Sequence, residues 1–425
     1  MNFFLLANND TDGIGQTLIN LSSNLKKKNH NVKMGILHSN SKNNEVKLIK
    51  RKLFLRIISF LLNFLKIKKL ITFKNSFNEL FWFNNSTIDY RSIEKDIEES
   101  DVIIIFTFHK IISTKIFEQI MKSGKIIFLR PLDLELATGG CHFNDDCHKF
   151  EENCNKCPKL NFLNFFNITK RNIEEKRRIV NTYNPKILVQ NTFVEKIFLK
   201  SSVFKNSETK IVRLDTRKER KNFYDKEKAR NFFKFDKDEN LILFGAFDLS
   251  SHLKGGHLLL KALKLLDLEI EKQKKDNKQF NTIRLLTIGK KNNFNLNLQN
   301  IEWTHLGRIN SDKELNLLYR AVDLLACPSL RCFAPHIVSE AVENNLPVVS
   351  FDAGVAQDDI INGKNGFLVP CYDVSIFSKK IFEILFDANF KNNMRKFNKK
   401  LELARNVDEA STVINYAEEL LNNRA

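Results

Sequence analysis

Between Thr138 and Leu160 the chain carries Cys141, Cys147, Cys154 and Cys157, four of its seven cysteines, with His142 and His148 among them. The spacing is C-x5-C-x6-C-x2-C. Thiolates hold zinc tetrahedrally, and a C-x2-C pair is the usual tight half of such a site. Three readings of the loop stay open. The four cysteines could bind a structural zinc, with either histidine able to replace one of them. They could be reduced thiols that pack the loop, or they could form a disulfide or an iron–sulfur cluster. A zinc with four protein ligands has no open position, so it would stiffen the loop and not activate water.

A second group of chemically suggestive residues lies far along the chain. In "CPSLRCFAPHIVSEAVENNLPVVSFDAGVAQDDIINGKNGFLV", Cys327 to Val369, Pro335 is placed to open a helix. The free backbone N–H groups around Phe333, Ala334 and Pro335 would then favour a phosphate. Glu340 falls about one and a half turns into that helix, on a face able to reach a ribose. Gly354 follows a strand, where a backbone without a side chain can approach a ligand closely. Near the start, "NDTDGIGQT" puts Gly13 and Gly15 in a strand-to-helix turn, a common arrangement of low specificity.

The elements that must position these residues alternate strand and helix. "FFLLAN", "VKMGILH", "DVIIIFTFH", "KIIFLRP", "KILVQNT" and "TKIVRLD" read as strands of a first series. "LILFGAF", "IRLLTIGK", "DLLACPS", "PVVSF" and "GFLVP" read as strands of a second, and amphipathic helices run from Val374 to Asn423. Continuous apolar runs indicate strands buried on both faces, hence parallel sheets. The fold class expected is therefore α/β, with two doubly wound domains facing across a ligand cleft. The boundaries expected are a first domain over 1–215 with the cysteine loop at 138–160, a charged linker over 216–240, a second domain over 241–405, and a C-terminal helix over 406–425 returning to the first domain. The cysteine loop follows "KIIFLRP" directly, at a carboxyl end of the sheet where such folds bind ligands.

The second series resembles the donor-binding region of the retaining glycosyltransferases of family 4, which have the two-domain GT-B fold with Rossmann-like halves. The residues that carry the likeness are "PSL" at Pro328 to Leu330, "SEA" at Ser339 to Ala341, "PVVSF" at Pro347 to Phe351 and "NGFLV" at Asn365 to Val369. "FGAFDLSSHLKGG" resembles that family's glycine-lysine stretch, with Lys254 at the position that binds the donor diphosphate. Arg130, Asp133 and "TGGCHF" resemble the signature "R…D…TGGCHY…C…C…CP" of a subgroup acting in bacterial surface-polysaccharide synthesis. Three positions depart from the family. Cys332 stands where an acid usually precedes the helix glutamate, Leu132 precedes Asp133 in place of a histidine, and no arginine partner of Lys254 is evident.

The resemblance implies transfer of a sugar, of hexosyltransferase type and with retention, from a nucleotide-sugar to a hydroxyl of a lipid-linked oligosaccharide. Lys254, Glu340 and Asp133 would be the catalytic set. Lys254 would neutralise the leaving diphosphate, Glu340 would hold the ribose, and Asp133 would orient the acceptor hydroxyl. His142, Arg130 and His109 are the acceptor-side candidates. Gly13, Gly15, Phe333, Ala334, Pro335 and Gly354 would line the donor with Lys254 and Glu340. No cofactor is expected for the chemistry, and a structural zinc is expected at Cys141, Cys147, Cys154 and Cys157. Cys332 also motivates a rival reading, an inactive scaffold in a polysaccharide assembly complex.

Composition bears on partners. The 425 residues are 43% hydrophobic, enough for substantial cores, and carry a net charge of +18. That charge fits anionic lipid, nucleic acid or phosphorylated ligands, or a compositional bias spread over solvated faces. A zinc-bearing nucleic-acid-binding protein is the weaker alternative, and no nucleic acid is expected. The aromatics fall in core-like runs, not interleaved with basic clusters as a stacking groove requires. "IISFLLNFL", flanked by "KRKLFLR" and "KIKKLITFK", is too short to span a bilayer. Residues 50–74 instead read as a helix docking on an anionic membrane surface. The opening "MNFFLLANNDTDGIG" has no basic leader, so a cytoplasmic protein is expected, peripheral on the inner face of the cytoplasmic membrane.

Overall fold

The computed structural model describes residues 1–10, 13–39, 46–50, 81–144, 147–160, 166–214, 225–309, 311–330, 336–354, 356–404 and 408–423. The basic-flanked apolar run within 50–74 lies, from residue 51 on, outside the described residues. So do Cys332, Phe333, Ala334 and Pro335. Among the described residues no helix is long and apolar enough to cross a membrane.

The chain divides into two compact units, Met1–Asp215 with Val407–Ala425, and Thr216–Asn406. The first is built on β1 (Asn2–Asn9), β2 (Asn31–His38), β3 (Val46–Leu48), β4 (Val102–Ile105), β5 (Ile126–Leu129), β6 (Lys186–Val189) and β7 (Thr209–Ile211). They pair in the order β3-β2-β1-β4-β5-β6-β7, and each pair is parallel. Phe3–Ala7, Val102–Ile105 and Ile126–Leu129 are buried without alternation, because helices cover both faces. The order reverses between β1 and β4, so a crevice forms at their carboxyl ends. Gly13 and Gly15 open the helix Gly13–Lys27 that follows β1. A Cβ on Gly15 would come within 2.3 Å of the Asp10 carbonyl carbon, whereas one on Gly13 would meet nothing within 4 Å. Gly15 is thus needed for strand–helix packing, and Gly13 is not.

The C-terminal helix Glu409–Asn422 belongs to the first unit. Ala410, Val413, Ile414, Tyr416 and Ala417 join the core that holds Phe128, Leu188 and Val212. Its anchor is Arg130, fully buried at the end of β5. The guanidinium pairs with Glu409 at 2.8 Å and donates to the Leu188 and Val212 carbonyls at 2.9 and 2.7 Å. The residue read as an acceptor contact is therefore an internal clamp.

The second unit is built on β8 (Asn240–Asp248), β9 (Ile283–Lys290), β10 (Ile301–Gly307), β11 (Leu324–Cys327), β12 (Val348–Phe351) and β13 (Gly366–Val369). The order is β10-β9-β8-β11-β12-β13, and again each pair is parallel. β10, "IEWTHLG", has only one apolar-face pattern and was not anticipated as a strand. Residues 226–233, expected as linker, form a helix capped by Asp225 and packed through Ala229 and Arg230. The charge that made this stretch look like linker is partly internal. Arg230 is buried and reaches Asp323 at 2.8 Å.

Candidate active site

In the second unit the strand order reverses between β8 and β11, and the Lys254 and "PSL" stretches leave those two strands. Lys254 ends a short 3₁₀ turn, His252–Lys254, and Gly255 follows at φ 72°. A Cβ on Gly255 would lie 1.8 Å from the Pro328 carbonyl oxygen, so only glycine allows the two loops to touch. The Leu330 N–H donates to the Leu253 carbonyl at 3.0 Å. Two motifs 70-odd residues apart are thereby locked into one surface, with Lys254 half-buried on it.

Glu340 lies in the helix His336–Glu343 and accepts a hydrogen bond from the Tyr319 hydroxyl at 2.6 Å. Burial, and then the Glu340 charge, push the Tyr319 hydroxyl well above its ordinary pKa, so it stays a donor. Tyr319 thus fixes the Glu340 carboxylate, a role that sequence reading missed. Tyr319 reads there as one more apolar position of the helix Asp312–Ala321. Gly354 follows β12 at φ 61° and is buried. Ser339 of "SEA" donates to Asp359, and Asn365 of "NGFLV" donates to the Asp359 carbonyl at 2.9 Å and accepts from the Ile361 N–H at 2.7 Å. These two motif residues hold loops together.

In the first unit, Asp133, His142 and His109 come together at the carboxyl ends of β4 and β5. Asp133 Oδ2 lies 2.7 Å from His142 Nδ1, and Asp133 Oδ1 accepts from the Glu135 N–H at 2.8 Å. The Leu134 N–H donates to the His142 carbonyl at 3.0 Å, which closes the loop on itself. His109 meets His142 edge to face, with centroids 5.2 Å apart. Burial alone would lower the His142 pKa, but the Asp133 carboxylate beside it outweighs this and raises it above the ordinary imidazole value. Asp133 therefore orients His142, and the ring nitrogen left over for chemistry is Nε2.

Sequence reading missed two further residues here, Glu135 and Lys176. Glu135 is fully buried, accepts from the Thr107 hydroxyl at 2.7 Å, and burial pushes its carboxyl up to about 7. Lys176, from the helix Ile168–Tyr183, donates to the Glu135 and Thr138 carbonyls at 2.6 and 3.0 Å and sits 4.0 Å over the Trp82 ring. Burial lowers its pKa to about 8. A lysine in a charged helical stretch gives no sign of burial, and Glu135 resembles any loop acid.

The two glycines of "TGGCHF" explain how the cysteine loop closes. A Cβ on Gly139 would meet the Thr169 carbonyl oxygen at 2.5 Å, and one on Gly140, at φ 141°, the Trp82 carbonyl oxygen at 2.3 Å. Thr169 and Asn172 donate to the Cys154 and Gly139 carbonyls. Among the described residues, Cys141, Cys147, Cys154 and Cys157 form no disulfide. Burial pushes Cys141 up to about 11 and Cys154 up to about 12, and neighbouring thiolates add to both shifts. Cys141 and Cys157 pack in one apolar cluster with Phe81 and Leu160. The Gly139 N–H donates to Cys154 Sγ at 3.2 Å. The thiols thus share one neighbourhood, and their mutual repulsion adds to the cost of ionising Cys141, Cys154 and Cys157.

Residues 225–401 match the family model of glycosyl transferases group 1. A search of curated proteins gives no sequence match. Among solved structures, sucrose-phosphate synthase from Thermosynechococcus elongatus superposes with a TM-score of 0.68 at 14% identity over 100% of both chains. Anabaena HepE in complex with UDP-glucose gives 0.62 at 14% identity, also over 100% of both. WaaG, a glycosyltransferase involved in lipopolysaccharide biosynthesis, gives 0.59 at 12% identity over 95% of this chain and 96% of that one. At such identities the likeness speaks for the fold, which the paired parallel sheets already indicate. The second unit is thus similar to the glycosyl transferases group 1 family over residues 225–401, in a chain with the fold of the GT-B glycosyltransferases.

Proposed function

We propose that this chain is a retaining glycosyltransferase that moves a hexose from a nucleotide-sugar to a hydroxyl of a lipid-linked oligosaccharide in surface-polysaccharide synthesis. The observation that carries the donor half is the contact of the Lys254–Gly255 turn with Pro328–Leu330 at the reversal of the second sheet. An ammonium there meets a diphosphate where open α/β sheets bind ligands. The family match over the same unit supports it, as does the UDP-glucose held by HepE. The surface-polysaccharide role draws on the "TGGCHF" loop and on what WaaG does.

The second unit takes the donor, with Lys254 neutralising the departing diphosphate and Glu340, fixed by Tyr319, on the ribose. The first unit takes the acceptor, with Asp133 and His142 beside the hydroxyl. The leaving diphosphate receives the hydroxyl proton on the same face, so no strong base is needed. Zinc on Cys141, Cys147, Cys154 and Cys157 would brace the loop and supply no chemistry. The 50–74 segment would bring the enzyme to the cytoplasmic face of the membrane, where a lipid-linked acceptor lies.

Nucleotide-sugars are screened for a rise in melting temperature and for release of nucleoside diphosphate, with wild type beside Lys254→Ala. The expected result is stabilisation by one nucleotide class, since ligands bound only by the folded form raise its melting point, with that stabilisation weakened in Lys254→Ala. Equal stabilisation of both proteins removes the diphosphate assignment, and no response to any nucleotide-sugar favours the scaffold reading.

A further inference from the structure

We propose that His109, Glu135 and His142 form a binding site for one divalent transition-metal ion of the zinc class, distinct from the four cysteine thiols. One ligand atom from each of the three lies within 4.8 Å of the others. Tetrahedral coordination at ordinary zinc–nitrogen and zinc–oxygen lengths puts ligand atoms about 3.4 Å apart, so side-chain shifts of about an ångström close the site. Two imidazoles and a carboxylate are a donor set that zinc accepts with one position open.

Three observations point to a ligand and not to mere proximity. First, the group is buried, with His109 8%, His142 4% and Glu135 0% exposed. Second, His142 Nε2 and Glu135 Oε1 have no hydrogen-bond partner among the described residues. Buried polar atoms are normally paired, and leaving one unpaired costs about 1–3 kcal/mol. Third, the outer partners are those of a metal site. His142 turns Nδ1 to the Asp133 carboxylate at 2.7 Å, which presents Nε2 inward, and Glu135 Oε2 is held by the Thr107 hydroxyl at 2.7 Å. Metal-bound histidines characteristically hand their second nitrogen to a carboxylate, and ligating carboxylates are themselves hydrogen-bonded.

The nearest cation does not fill the place. Lys176 spends its ammonium on the Glu135 and Thr138 carbonyls and the Trp82 ring. With an ion on Nε2, His142 is no proton acceptor, in keeping with a transfer in which the leaving diphosphate takes the proton. The site is independent of the donor reading, and either can fail alone.

The full chain, stripped with chelator, is titrated with Co²⁺ and followed by absorption. Cobalt on nitrogen and oxygen ligands shows visible ligand-field bands. Cobalt on thiolates adds a near-ultraviolet charge-transfer band, which separates this site from the four cysteine thiols. About one equivalent is expected to give ligand-field bands without the thiolate signature. Those bands should survive Cys154→Ser/Cys157→Ser, disappear in His109→Gln and Glu135→Gln, and appear with affinity lowered by about 10–100-fold in Asp133→Asn. Circular dichroism checks folding, and Glu135→Gln, which keeps the Thr107 contact, carries the test if His109→Gln unfolds. Cobalt bound only with the thiolate band, no cobalt bound, or wild-type binding in Glu135→Gln overturns the proposal.

Discussion

Asp323 and Glu135 are both buried carboxylates next to a parallel strand, and their surroundings could hardly differ more. Asp323 precedes β11, at the amino end of the second sheet. It pairs with Lys226 at 2.6 Å, Arg230 at 2.8 Å and Lys391 at 3.3 Å, and accepts the Leu241 N–H at 2.9 Å. Burial alone would raise its pKa, but Lys226, Lys391 and Arg230 outweigh that and hold it well below the usual carboxylate range. Glu135 follows β5, at the carboxyl end of the first sheet. One of its oxygens has the Thr107 hydroxyl and the other has no hydrogen-bond partner among the described residues. A carboxylate with every lone pair answered ties elements together, here the helix Lys226–Phe233 and the helix Ala388–Ala404 to the sheet. One left short, at the end of the sheet where ligands bind, is available for chemistry.

The comparison predicts opposite outcomes for like changes. Asp323→Asn leaves Lys226, Arg230 and Lys391 facing a neutral amide, and should lower the stability of the second unit by about 3–5 kcal/mol in denaturant unfolding. The same pair sets an acid limit. Because the folded pKa is depressed, the stabilisation is present above the ordinary carboxylate value of about 4 and is lost as pH falls below it through the folded value. A melting profile of that unit unchanged from pH 6 to pH 2.5 would contradict this.

Lys254→Ala should cost about 10²–10³-fold in turnover with the correct donor, the scale of removing one charge-stabilising donor, while the melting temperature stays near wild type. Gly255→Ala should be smaller and of another kind. A left-handed φ and the contact with Pro328 together cost about 1–3 kcal/mol, and the displaced turn carries Lys254 with it, so nucleotide affinity falls as well. The smallest effect sharpens the comparison most. Glu135→Gln, measured with chelator present, should change stability by less than about 1 kcal/mol in either direction, since an amide keeps the Thr107 contact and removes a poorly compensated charge. A loss as large as that of Asp323→Asn would make Glu135 a clamp as well.

Much of the fold was legible in the chain. Buried parallel strands announce themselves as unbroken apolar runs, and β1, β4, β5, β8 and β12 lie where "FFLLAN", "DVIIIFTFH", "KIIFLRP", "LILFGAF" and "PVVSF" put them. "DVIIIFTFH" nevertheless stops being strand after Ile105, since Phe106 to His109 turn into the loop that holds Thr107 and His109. β10 and the helix at 226–233 escaped notice because a mixed polar pattern is what an edge strand and a charged helix share with a loop.

Residue types and their local spacing settled what can be read along one dimension: two strand–helix series, a glycine-lysine stretch around Lys254, and a cysteine loop set at a strand end. Which polar side chains act was decided only by folding. Arg130 and Asp133 are three residues apart and look alike as candidates, yet one is consumed inside the core by Glu409, nearly 280 positions away, and the other turns a histidine toward Glu135. Burial and partner supply are properties of the surroundings in space, and in a doubly wound sheet those surroundings come from distant parts of the chain.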